Sequence, residues 1–164
     1  MGGSEDLRLR MGRLEFGQWV LLYDAEATRR AYSAVTSGAP EECGSADCRN
    51  FAAARGSIYT AEVLDILDRL GVDHRKEAEI YYDGPIGGGR HAYGDWFHFV
   101  GFIEDGEDAC APGGMLRLEH CDDSFQIGFS RSLALVPDAF PGGPLVQLEF
   151  QARVPWVLDL PEPR

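Results

Sequence analysis

The chain has little positive charge. Its 164 residues carry 15 lysine and arginine side chains against 27 aspartates and glutamates, which gives a formal net charge of -12 at pH 7, and Lys76 is the only lysine. A protein that binds nucleic acid needs a basic surface to displace the counterions of the phosphates, so we predict that nucleic acid is not a partner. The same repulsion disfavours an anionic membrane surface. The partners that this charge attracts are a basic protein or a cationic ligand.

The sequence also lacks long apolar runs. No segment approaches the about 18 apolar residues of a membrane-spanning helix, and the polar start MGGSEDLRLRMGRLEF contains no apolar stretch followed by a cleavage site. We therefore predict no membrane span and no secretory leader, and the cytoplasm is the simplest location. The 4 cysteines are too few for a disulfide scaffold. In a reducing compartment they are expected to be thiols or metal ligands.

Common catalytic and nucleotide-binding motifs are missing as well. The sequence contains no G-x-S-x-G, H-E-x-x-H, G-x-G-x-x-G or EF-hand pattern. The segment GPIGGGR (84–90) lacks the G-K-[ST] ending of a phosphate-binding loop and no helix follows it, so it predicts a hairpin loop. The acidic run over 104–108 lacks the spacing of an EF-hand and is typical of a solvated loop.

The composition that is present belongs to a folded domain. Hydrophobic residues make up 45% of the chain and charged residues 26%, a balance usual for globular proteins. The length is that of one ordinary domain, which can bury a core without needing disulfides or a bound metal. We predict a single domain over 1–164, with 1–12 and 159–164 flexible.

Three segments predict helices: AEATRRAYSAV (25–35), SADCRNFAAAR (45–55) and the segment from about 60 to 70. The third has the clearest pattern, because apolar side chains recur at helical spacing between a capping Thr60 and Gly71. The glycine with the valine after it fits a Schellman ending.

Strand patterns occupy the rest of the chain. LEFGQWVLLYDA (14–25) predicts one long strand with Gly17 at a bulge. From residue 77 onward, five segments alternate apolar and polar residues with turn clusters between them. The fold class that follows is α+β, with an antiparallel sheet of about five to six strands and two or three helices packed on one face. The C-terminal strand within 144–158 has no obvious edge protection, which makes a homodimer an expectation.

One candidate site is the stretch EECGSADCRNF (41–51). If a helix begins at Ser45, both Cys43 and Cys48 lie near its N-terminus, where unpaired N–H groups and the helix dipole favour thiolates. The pair then forms either a reversible dithiol or half of a zinc site that His120 and Cys121 complete, with Cys110 as a further ligand candidate. The C-x4-C spacing differs from the C-x2-C of structural zinc sites. The remaining interpretation is that the cysteines pack as small hydrophobic residues beside a helix cap.

The second candidate site lies in DWFHFVGF (95–102). On a strand, Trp96 and His98 share a face, whereas His91, Tyr93 and Asp95 share the opposite one. His98 could act as a general base or a ligand in an aromatic-lined pocket with Trp96. The alternative is a hydrogen-bonded histidine of the core.

Four segments together resemble a family of small bacterial proteins: CGSADCRNF, LDRLGVDHRKEAE, YGDWFHFVG and VPWVL. The resemblance covers residues from about 43 to 158, and WFHFVG is its most specific part. Members of that family carry C-x-C-x-x-C-x-N-F, and Cys43, Ser45 and Cys48 fill its first three defined positions here. The serine departs from the pattern and removes one thiolate. The resemblance implies a bacterial origin and does not indicate an activity.

Three functions are consistent with these observations. The first is a non-enzymatic acidic binding protein, which follows from the charge, the aromatic strands and the missing catalytic motifs. The second is a zinc-binding or thiol-redox protein that uses Cys43 and Cys48. The third is an enzyme with His98 in an aromatic pocket.

Overall fold

The computed structural model describes residues 3–164, which form five helices and seven strands. The predicted α+β class is confirmed. The helices are α1 (Gly3–Arg10), α2 (Ala25–Ser33), α3 (Ala39–Cys43), α4 (Ala46–Ile58) and α5 (Ala61–Leu70). The strands are β1 (Gly12–Phe16), β2 (Trp19–Tyr23), β3 (Glu79–Gly87), β4 (Arg90–Asp105), β5 (Glu119–Asp122), β6 (Phe125–Ser130) and β7 (Leu145–Pro155).

The strands form one antiparallel sheet around the long strand β4. The order is β1-β2-β4-β7-β6-β5, and β3 pairs with β4 outside this path. One edge of β4 pairs with β7 over 90–100. Its other edge pairs first with β3 over 90–96 and then with β2 over 101–105. The sheet therefore has slightly more strands than the five to six predicted.

The prediction of one long strand over 14–25 is wrong. β1 and β2 form a hairpin in which Leu14 pairs with Leu21 and Phe16 with Trp19. Gly17, at the turn, has a φ of 53°. Glycine adopts this left-handed conformation without steric cost, so it reverses the chain here instead of forming a bulge within one strand.

The three predicted helices are confirmed as α2, α4 and α5, and side-chain caps define where they begin. Asp24 accepts a hydrogen bond from the Ala27 amide at 2.9 Å, and Ser45 and Thr60 cap the next two long helices in the same way. Gly71 ends α5 with a φ of 83°, which is the predicted glycine ending.

Two short helices were not predicted. α1 occupies most of the segment predicted to be flexible, and the part of that prediction concerning residues 1 and 2 lies outside the described residues. α3 has only five residues and begins with Pro40 in its first turn, which makes its sequence pattern too short to recognise.

The hydrophobic core lies between the sheet and helices α4 and α5. Tyr59, directly after α4, places its ring centroid 6.3 Å from that of Phe97, 5.7 Å from that of Phe125 and 5.9 Å from that of Phe150. Each of these rings is buried. Such aromatic side chains supply much of the apolar area that stabilises a fold of this size.

Helix α2 completes the sheet edge where β2 and β3 leave a gap along β4. The Tyr32 hydroxyl donates to the His98 carbonyl and accepts from the His98 amide, both at 3.0 Å. The Thr28 hydroxyl accepts from the Val100 amide at 2.9 Å. Two side chains of α2 therefore satisfy backbone groups that no neighbouring strand reaches.

The expectation that the C-terminal strand is an unprotected edge is wrong. β7 lies inside the sheet, with β4 on one side and β6 on the other, so its backbone hydrogen-bonding groups are used within the chain. This arrangement removes the reason for expecting a homodimer through that strand. Among residues 3–164, no helix combines the length and the apolar character that crossing a membrane requires.

Candidate functional site: a disulfide at a helix N-terminus

Cys43 and Cys48 are joined by a disulfide, with their Cα atoms 6.0 Å apart. Cys43 is the last residue of α3, and Gly44 follows it with a φ of 75°. Ser45 then caps α4, in which Cys48 is the third helical residue. The bond therefore ties the end of one helix to the first turn of the next. The expectation that the cysteines are thiols or metal ligands is corrected for these two.

The two sulfur positions differ in exposure. Cys43 is exposed, whereas Cys48 is buried with 4% of its surface accessible. The Ser45 hydroxyl lies 3.2 Å from the Cys43 sulfur and accepts a hydrogen bond from the Cys48 amide at 3.2 Å. Cys43 is therefore the cysteine that faces solvent, while Cys48 faces the protein interior.

A cavity of about 140 Å³ opens beside the disulfide. Its lining residues are Cys43, Ser45, Asp47, Cys48, Ile80, Tyr82 and Tyr93. Strands β3 and β4 supply the apolar and aromatic part of this wall, and the end of α3, the capping serine and the first turn of α4 supply the rest. We call this space the disulfide cavity.

The first turn of α4 is fixed against the sheet by polar contacts of buried side chains. The Tyr93 hydroxyl donates to the Asp47 carbonyl at 2.9 Å. Asn50 donates to the Pro155 carbonyl at 3.1 Å and accepts from the Val157 amide at 2.7 Å. These bonds set the position of Cys48 relative to the cavity wall.

Tyr82 of the cavity wall leads to a buried histidine. Its hydroxyl lies 2.7 Å from Nδ1 of His91, and Nε2 of His91 lies 2.7 Å from a carboxylate oxygen of Glu162. His91 is fully buried, between the Tyr82 ring and the Trp156 ring. An ionised carboxylate only accepts hydrogen bonds, so Nε2 is the ring nitrogen that donates to Glu162, and Nδ1 is left to accept from the Tyr82 hydroxyl.

Both tyrosines of the cavity remain phenols at neutral pH. Burial, followed by the nearby Asp47 and Glu162 carboxylates, raises the pKa of Tyr82. Burial raises the pKa of Tyr93 to about 12. The cavity thus presents O–H groups to the disulfide, and no phenolate charge competes with a thiolate there.

The predicted zinc ligands are not brought together. Cys43 and Cys48 are bonded to each other beside β3 and β4, whereas Cys121 on β5 has Glu62 and Asp122 as its charged neighbours. Burial raises the pKa of the Cys121 thiol to about 12, so it is a protonated thiol, and His120 beside it is exposed. Within residues 3–164, no cluster of three or more histidine, cysteine or acidic side chains is arranged to hold a metal ion.

The predicted pocket at Trp96 and His98 is occupied by protein. His98 is fully buried, its Nε2 lies 3.1 Å from the Gln147 side-chain oxygen, and the Phe140 ring covers it. Trp96 donates from its ring nitrogen to the Ala134 carbonyl at 2.9 Å. Neither residue lines the disulfide cavity. Burial lowers the pKa of His98, which is typical of a neutral core histidine.

A second buried polar cluster consists of Glu77 with Arg55 and Tyr59, and the buried Asp95 is affected by its charge. Glu77 accepts two hydrogen bonds from Arg55, at 3.0 and 2.8 Å, and one from the Tyr59 hydroxyl at 3.0 Å. Asp95 is fully buried, and its Oδ1 accepts from the Glu79 and Trp96 amides, while its Oδ2 has no partner among the described residues. Burial, followed by the charge of Glu77, raises the pKa of Asp95 well above its ordinary value.

Sequence reasoning found the two cysteines and missed Tyr82, His91 and Glu162. Strand alternation did place His91 and Tyr93 on one face of β4, and the register pairs Tyr82 with Tyr93 on the neighbouring strand. The alternation was sufficient to group His91 with Tyr93, whereas the pairing with Tyr82 became known only from the structure. Nothing in the sequence indicated that the tail returns to place Glu162 on the histidine.

No protein-family model, curated protein or solved structure matches the chain. The resemblance to a bacterial family stays a prediction that rests on the motifs quoted for it.

Proposed function

We propose that the protein carries out thiol–disulfide exchange with the Cys43–Cys48 pair. The observation that supports this most is the asymmetry of the disulfide, which exposes one sulfur and places the other in the first turn of α4. An attacking thiolate needs access to one sulfur and a stabilised leaving group at the other. The N-terminus of a helix stabilises a thiolate through its unpaired N–H groups and dipole.

The exchange runs in two balanced steps. A partner thiolate attacks the Cys43 sulfur, the bond between the two cysteine sulfurs breaks, and its electron pair leaves on Cys48 as a thiolate. The partner is then held in a mixed disulfide with Cys43. A second partner thiol attacks the partner's sulfur in that mixed disulfide, so the partner leaves oxidised and the Cys43–Cys48 pair takes up the two electrons and becomes a dithiol.

The test is reversible interconversion in the folded protein. A variant with Cys110→Ser and Cys121→Ser leaves only the pair, so a thiol count measures that pair alone. We expect no reactive thiol before reduction, two after dithiothreitol treatment, and none again after exposure to oxidised glutathione, with circular dichroism unchanged throughout. A pair that reacts only after the protein is denatured, or that stays reduced under oxidised glutathione, contradicts the proposal.

The net charge of -12 supports a second proposal, a non-enzymatic interaction with a basic protein or a cationic ligand. Charge of one sign accelerates association with a partner of the opposite sign and makes it sensitive to salt. A pull-down at low and high ionic strength tests it. Partners whose recovery is the same at both ionic strengths, or the absence of any partner, argue against this function.

A further inference from the structure

We propose that Tyr82, His91 and Glu162 form a proton relay that serves the cysteine pair, with His91 as the base and Tyr82 as the group that passes the proton. The inference rests on the proposed thiol–disulfide exchange and identifies acid–base groups for it. When two thiols close to a disulfide, the attacking thiol loses a proton, and opening the disulfide returns that proton.

The geometry supplies a shared cavity and two short hydrogen-bonding distances for this relay. Tyr82 lines the disulfide cavity together with Cys48. Its hydroxyl lies 2.7 Å from Nδ1 of His91, and Nε2 of that ring lies 2.7 Å from Glu162. The chain of groups thus begins at the cavity, passes through one buried ring and ends at a carboxylate that is partly exposed, with 46% of its side chain accessible.

The proton moves in a balanced way. The Cys48 thiol transfers its proton to the Tyr82 oxygen while the Tyr82 hydroxyl proton moves to Nδ1 of His91. The products are a thiolate, a phenol and an imidazolium, and the imidazolium charge is held by the Glu162 carboxylate. During reduction of the disulfide the same transfers run in reverse, and His91 returns the proton to the departing thiolate.

The surroundings of His91 favour this role. Tyr82 faces it from β3, Glu162 faces it from the tail, and Trp156 contacts it from the end of β7 without adding a charge. Asp47 of α4 acts on Tyr82, and Arg90 precedes the histidine on β4. A carboxylate hydrogen-bonded to the far nitrogen fixes the tautomer and strengthens the near nitrogen as a base.

The experiment lets dithiodipyridine react first with the exposed Cys43 thiol of the reduced pair. It then measures how fast Cys48 displaces the second thiopyridone to close the disulfide, between about pH 5 and 10, in the Cys110→Ser/Cys121→Ser background. We expect Tyr82→Phe and His91→Gln to slow the reaction at neutral pH by about tenfold or more, with rates that converge on the parent rate in alkali, where hydroxide removes the proton. Glu162→Gln should give a smaller loss, because it weakens the base without removing it.

Tyr81→Phe is the matched control. Tyr81 lies on the same strand but on the opposite face of the sheet, where its ring packs on Gly94. It should behave as the parent protein at every pH. Tyr82→Phe keeps the ring and its packing, so it tests the relay even if His91→Gln folds poorly.

Two results would overturn the relay. Rates of Tyr82→Phe and His91→Gln that follow the parent across the whole range show that the relay is not used. A loss of equal size at every pH shows a packing defect. Both results leave thiol–disulfide exchange intact, whereas a pair that does not interconvert in the folded protein removes the proposed function itself.

Discussion

Asp95 is a buried carboxyl group whose protonation departs from its ordinary behaviour in water. It is buried with one oxygen lacking a partner among the described residues, and its neighbour Glu77 is already ion-paired with Arg55. An ionised Asp95 would add a second negative charge to this site without a cation to balance it. Its raised pKa therefore describes a carboxylic acid that keeps its proton in the folded protein.

The pH dependence of stability follows from that proton. In the interval above the ordinary aspartate pKa of 3.8 and below the raised value, the folded state holds a proton that the unfolded chain has released. The free energy of unfolding therefore falls as pH rises through this interval, by up to about 1.4 kcal/mol per pH unit from this one group.

We predict that Asp95→Asn removes this contribution. The amide oxygen keeps the two backbone hydrogen bonds, and the neutral side chain no longer titrates. Urea unfolding from about pH 4 to 8 should show a variant whose stability gains on the parent as pH rises. Asp83→Asn, at an exposed position of β3, is the control and should track the parent. Parallel curves for Asp95→Asn and the parent would refute the assignment.

At the residue scale, the sequence predicted which side chains lie together when they are close in the chain. Cys43, Ser45 and Cys48 are close in the chain, so a helix cap was sufficient to bring them together. His98 was also correctly described by one of its two interpretations, the core histidine. The charge effect of Glu77 on Asp95 and the hydrogen bond between His91 and Glu162 involve residues far apart in the chain, and no local pattern encodes such distances.

At the element scale, the junction between β2 and β3 along β4 depends on one helix. Neither strand pairs with residues 97–100 on that edge of β4. The amide and carbonyl of His98 and the amide of Val100 would be unpaired there without the hydroxyls of α2. Buried backbone groups without partners are costly, so these hydroxyls contribute to stability as strand hydrogen bonds would.

We predict that Tyr32→Phe lowers the free energy of unfolding by about 2 kcal/mol, because both the amide and the carbonyl of His98 lose their partner while the ring packing is kept. The urea midpoint should fall with an unchanged slope. Ser33→Ala, an exposed change on the same helix, should stay within about 0.5 kcal/mol of the parent. A Tyr32→Phe midpoint equal to that of the parent would show that other groups satisfy this backbone.

Helix boundaries were predictable because caps are local. Thr60 and Gly71 define α5 within one residue on each side. The hairpin at Gly17 was misread because a strand-like pattern on both sides of a glycine is typical of one long strand with a bulge and also of two strands that pair with each other. The pairing of β2 with β1 on one side and with β4 on the other shows that the segment forms two strands.

At the scale of the whole molecule, the disulfide is a small contributor to stability. A bond between residues separated by 5 positions restricts the unfolded chain little, so its removal should cost about 2 kcal/mol. We predict that Cys43→Ser/Cys48→Ala melts about 5 °C below the parent. Reduced parent protein should match it. A much larger loss would indicate a structural staple and weaken the case for exchange chemistry.

The fold class was predictable because the three longer helices and the strands after residue 77 each repeat their own period. The order of the strands was not, since β7 follows β6 in the chain but also pairs with β4. The expectation of an exposed C-terminal edge failed for that reason. Strand order depends on which faces complete a shared core, a property of the assembled sheet.

The gap along β4 also bears on how the molecule opens. With the edge interrupted between its two neighbours, the β1–β2 hairpin and the β3 strand share no ladder with each other, so the side chains of α2 and the shared strand β4 are what couple them. Thr28 and Tyr32 span the interruption from a single helix. Loss of either hydroxyl should therefore split one cooperative unfolding unit into two, which native-state hydrogen exchange would resolve as separate protection classes for the amides of β2 and β3.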